Sequence, residues 1–75
     1  MSLSSMSDEQ LDRKIEAVAG DVADYRKDFE RAQSLYRDEP TRAHHDNLQE
    51  AKRFLKWAEG QLRKFRAERD GRRGD

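Results

Sequence analysis

Seventy-five residues with 43% charged side chains and no net charge hold one small domain at most, because chains this short bury only about 60% of the surface they expose unfolded. The absence of cysteine excludes disulfide staples and thiolate metal sites. No apolar run approaches the ~18 residues of a membrane span and no signal-peptide core is present, so a cytoplasmic location is expected.

Leu, Ile, Val and Phe supply only 12 of the 75 residues, which with this charge content borders on disorder. The apolar residues are nevertheless spaced with great regularity, as in helices that bury one narrow stripe. The first six residues, Met1 to Met6, carry no pattern and are expected to be a disordered leader. Ser7-Asp8-Glu9-Gln10 has the form of a capping box, where the Ser hydroxyl and the Gln side chain satisfy each other's orphan amides.

From there, Leu11, Ile15, Val18, Val22, Tyr25, Phe29, Ala32 and Tyr36 follow one another by alternating steps of four and three. This is a heptad repeat and predicts a first helix over about 8–37. Arg37-Asp38-Glu39-Pro40-Thr41 breaks it, since proline disfavours helix at the residue before it and suits the start of the next. The stripe resumes as His44, Leu48, Ala51, Leu55, Ala58, Leu62 and Phe65, predicting a second helix over about 41–70. Gly71 reads as its stop, leaving residues 71–75 as a frayed basic tail.

The expected fold is all-α, a two-helix antiparallel coiled-coil hairpin turning at residues 38–41. In such a hairpin, facing residues carry numbers adding to about 80. That register sets Tyr25 against Leu55, and it sets Val22 against Ala58, Phe29 against Ala51 and Ala32 against Leu48, large against small in these last three layers. It also places Tyr36 by His44, Asp12 by Arg66, Lys14 by Glu68 and, unfavourably, Arg26 by Lys52.

Three large apolar residues fall outside the stripe. Leu35 and Phe54 take heptad position g and Trp57 the adjacent position c, so all three lie on one flank that the partner helix cannot cover. Aromatic residues of this kind anchor interfaces, whereas local packing under neighbouring aliphatic stems is the blander outcome. Small domains without staples commonly associate. The expectation is therefore a homodimer closing a four-helix bundle, with another helical protein as the other candidate partner.

Charge is divided between the halves: residues 1–40 hold ten acidic and six basic side chains, and residues 41–75 the reverse. The first reading is complementarity, the acidic helix selecting the basic one. The second makes Arg53, Lys56, Arg63, Lys64, Arg66, Arg69, Arg72 and Arg73 candidate phosphate contacts of a small dimeric nucleic-acid-binding protein. It is the less favoured, because the domain as a whole has no positive excess.

Adjacent His44 and His45 point about 100° apart on a helix, so they make a poor metal pair. No nucleophile elbow, Gly-rich phosphate loop or paired carboxylates appear, and a two-helix hairpin has no cleft of ligand size. The function expected from the residues is a non-enzymatic protein–protein interaction module without a cofactor: a small adaptor, scaffold or regulator.

Overall fold

The computed structural model describes residues 3–73. Two long helices, α1 (Asp8–Asp38) and α2 (Arg42–Arg73), pack against each other as a helical hairpin measuring 51 × 18 × 17 Å. Ser7 opens α1 through the capping box: Ser7 N–H donates to Gln10 Oε1 at 2.9 Å, and Gln10 N–H donates to Ser7 Oγ at 3.1 Å.

The turn follows from Pro40. Glu39 is extended (φ −141°, ψ 90°), as a residue before proline prefers to be. Its own N–H closes α1 on the Leu35 carbonyl at 2.9 Å, and its carbonyl accepts from Thr41 N–H at 2.8 Å across the proline. Thr41 then caps α2, its hydroxyl accepting from His44 N–H at 3.1 Å and its carbonyl from His45 N–H at 3.0 Å.

The core is the predicted stripe. Leu11, Val18, Val22, Ala32, Ala58, Leu62 and Phe65 are buried, and the remaining stripe residues of both helices are half-buried. Cross-helix contacts confirm the register about Pro40: Tyr25 meets Phe54, Tyr36 meets His45, Asp12 meets Arg69 and Asp8 meets Arg72. Gly20 and Gly60 sit in open space on the outside, so nothing in the hairpin itself requires glycine there.

Three local expectations are corrected. His44 does not pair with Tyr36; its Nδ1 donates to the Glu39 carbonyl at 2.8 Å and braces the turn, so His45 takes the tilted ring contact at 5.5 Å instead. Residues 3–6 are structured: Leu3–Ser5 forms a 3-10 turn, and Leu3 and Met6 pack on the core cluster beside Leu11. Finally, α2 does not stop at Gly71 but continues to Arg73, while Gly74 and Asp75 of the expected tail lie outside the described residues. The last two corrections share a cause. The open end of the hairpin exposes the Leu11 end of the core, and the leader covers it while α2 extends to hold the leader.

Arg72 makes that closure. Its guanidinium donates to Asp8 at 2.9 Å, to the Leu3 carbonyl at 2.9 Å and to Glu68 at 3.2 Å. Arg69 donates to Asp12 at 2.8 Å and lies 3.6 Å from Asp8. The Arg72 hydrogen bond, with the nearby Arg69 charge, holds the Asp8 carboxyl below the usual aspartate range. Donating to Asp12 and Asp8 in turn pushes the Arg69 and Arg72 guanidinium groups up.

A carboxylate with a depressed folded pKa stabilises the fold above its unfolded pKa, about 3.9 for aspartate, and loses that contribution as pH falls through the folded value. The melting temperature should thus hold from neutrality to about pH 5 and decline below about pH 4. Asp8→Asn should remove part of that decline. An identical acid profile for the variant would show that the clamp contributes nothing to stability.

Candidate interaction surface

Three large hydrophobic side chains are exposed among the described residues: Leu35 at 42%, Phe54 at 47% and Trp57 at 61%. They are the three that the heptad repeat leaves unassigned, and the structure connects them on one flank. Leu35 and Phe54 line one shallow groove together with Tyr25, Ala32 and Ala51. Phe54 and Trp57 line the adjoining one, again with Tyr25.

Tyr25 belongs to this surface although its spacing assigns it to the seam. Its ring stacks on Phe54 with centroids 5.8 Å apart and planes 15° off parallel, leaving it half-buried. The reason is register: Tyr25 and Phe54 lie at one level of the hairpin, and a ring at the seam edge reaches the ring beside it. The register about Pro40 sets Tyr25 against Leu55, and its ring instead meets Phe54, one residue away. The stack fixes Phe54 in place, so the exposed face is prearranged, which lowers the side-chain entropy lost on binding. Asp28, Arg31, Asn47 and Glu50 rim the first groove, giving an apolar centre with a polar border.

The eight candidate phosphate contacts do not form one surface. Arg69 and Arg72 are spent on Asp8, Asp12 and Glu68 at the open end, their side chains only 24% and 22% exposed. Arg53 borders the aromatic flank beside Phe54 and Trp57, and Lys64 shares Trp57's heptad position. Lys56, Arg63 and Arg66 lie on the opposite flank, where Arg63 and Arg66 share a shallow groove with Arg26 and Glu59. The Arg73 side chain lies outside the described residues.

The charged flank pairs also differ from those expected. Asp12 takes Arg69 rather than Arg66, Lys14 lies over the Phe65 ring at 5.9 Å rather than by Glu68, and Arg26 approaches Glu59 at 3.7 Å. Glu68 is bound by Arg72 instead. Among the described residues no group of three or more His, Asp or Glu side chains is arranged to hold a metal ion, and no helix is long and apolar enough to cross a membrane.

Comparison with family models, curated proteins and solved structures finds no match. Functional inference therefore rests on the surfaces themselves.

Proposed function

We propose that this hairpin is a non-enzymatic protein–protein interaction module, a small adaptor, scaffold or regulator, which docks through the flank formed by Leu35, Phe54 and Trp57. The observation that carries the reading is that the three exposed large hydrophobic side chains lie together on one side, supported from beneath by Tyr25. Scattered single apolar residues need no explanation, but a connected aromatic flank on so small a chain does.

A second copy is the partner that suits this surface best. One side of the hairpin, 51 Å long and 18 Å across, has room for the about 800 Å² per partner that a standard interface buries. Two such flanks facing each other close a four-helix bundle and cover the aromatic groups of both copies.

Trp57→Ala tests it. As the most exposed of the three, Trp57 should act as the anchor, and its truncation should cost about 1–3 kcal/mol of association, a weakening of roughly 5- to 150-fold. Helicity by circular dichroism should stay close to wild type, because Trp57 is not part of the seam. A wild-type chain that sediments as a monomer at high concentration, with no change in the variant, would remove self-association from the proposal.

A further inference from the structure

The flank opposite the aromatic groups carries its own pattern. Lys52, Lys56, Arg63 and Arg66 lie on one side of α2, all exposed, and their side chains make no hydrogen bond or ion pair among the described residues. They form two pairs, 52 with 56 and 63 with 66, distributed over about 21 Å of helix. The acidic group between them, Glu59, faces Arg26 at 3.7 Å, which offsets its charge. Asp70, at the end of the row, lines the same groove as Arg63 and Arg66 and also acts on Arg69.

Exposed cations are solvated at little cost, so what distinguishes these four is their alignment on one side of a chain with no net charge. Sixteen acidic side chains are present, and Arg69 and Arg72 find theirs, yet these four cations are left without partners. From this geometry we infer that the Lys52–Arg66 flank binds the phosphate backbone of a nucleic-acid duplex without reading its sequence.

The choice of polyanion comes from what the flank lacks. Gln49 and Gly60 are the neighbours on this face, and no aromatic ring is interleaved with the cations. Single-stranded nucleic acid is held by rings on which bases stack; the exposed rings, Phe54 and Trp57, are on the far side, and His45, which meets Tyr36, lies nearer the turn than Lys52. An amphipathic helix that lies on a membrane inserts apolar side chains beside its cations, and this face has none to insert. A duplex presents a regular line of phosphates and demands neither. The binding is independent of whether the aromatic flank self-associates, since the two surfaces lie on opposite sides of the hairpin.

The test is fluorescence anisotropy with two 20-base-pair DNA duplexes of unrelated sequence. Four released counterions predict that affinity falls about 100-fold between 50 and 200 mM salt, equally for both duplexes. Replacing Lys52, Lys56, Arg63 and Arg66 together by Gln should abolish binding at 50 mM salt. Replacing Arg53 and Lys64 by Gln should weaken it by less than about tenfold, since those two lie towards the aromatic side and add only long-range attraction. Circular dichroism establishes that each variant remains helical, as expected for side chains that hold nothing in place. Absence of wild-type binding at 50 mM salt, per-charge losses that are the same for both variants, or tighter retention on anionic vesicles than on the duplexes would each overturn the inference.

Discussion

Leu11→Ala should lower the melting temperature by on the order of 15 °C, the largest effect of any single truncation in this chain. Among the described residues Leu11 is the one large side chain with no exposure at all. Removing a fully buried leucine costs about 3 kcal/mol or more, through lost transfer energy and the cavity left behind. A chain of this size has roughly 4–11 kcal/mol of total stability, and each kcal/mol moves its melting point by about 4–8 °C.

The effect is large because Leu11 lies where several elements converge. It belongs to the core cluster with Val18, Leu62 and Phe65, and the leader residues Leu3 and Met6 pack on the same cluster. Deleting residues 1–6 should therefore also lower the melting temperature, though by less than Leu11→Ala. Thermal unfolding followed at 222 nm measures both. A deletion that leaves the melting point unchanged would mean that the leader adds nothing to the seal.

Ala58→Leu is expected to destabilise by about 2 kcal/mol, despite adding apolar surface and keeping a strong helix former. Ala58 is fully buried, and the register sets it against Val22, which is itself buried. A leucine there has nowhere to go without driving the helices apart or forcing an unfavourable rotamer. Ala51→Leu serves as the comparison: Ala51 is half-buried and borders the open groove with Leu35 and Phe54. It should be tolerated within about 0.5 kcal/mol. Chemical denaturation of the two variants beside wild type decides the matter. A stabilised Ala58→Leu would show that the seam is loosely packed at that layer.

The same layers show why the hairpin could be read from the sequence. A heptad repeat encodes the buried face of each helix locally, so Leu11 through Tyr36 and His44 through Phe65 announce their own orientation. With Pro40 marking the turn, one number then pairs the two helices, and Val22 with Ala58 or Phe29 with Ala51 follows. The exposed flank is legible for the complementary reason: Leu35, Phe54 and Trp57 are what remains when the seam has been assigned.

The charged pairs could not be read so. A long cation has several acidic groups within reach, and which it takes depends on competition. Arg72 could meet Glu68 on its own helix, but it also bridges to Asp8 and the Leu3 carbonyl because α2 extends far enough to bring all three together. Glu68 is bound by Arg72, Lys14 lies over Phe65, and Asp12 takes Arg69. None of these choices has a periodic signal.

Sequence alone thus determined the two helices, the Ser7 cap, the Pro40 turn, the register and the flank of unassigned apolar side chains. All of these arise from interactions that repeat with the helix or act within a few residues. Tertiary structure decided how the open end closes, since six leader residues are too few to show a period, and residues 3–6 acquire a place only because the exposed end of the core offers one. It also divided the basic residues of α2 among a clamp at the open end, the border of the aromatic flank and a free row on the opposite side. That division depends on which acidic groups the folded hairpin brings within reach of each cation, a distance that no spacing along the chain contains.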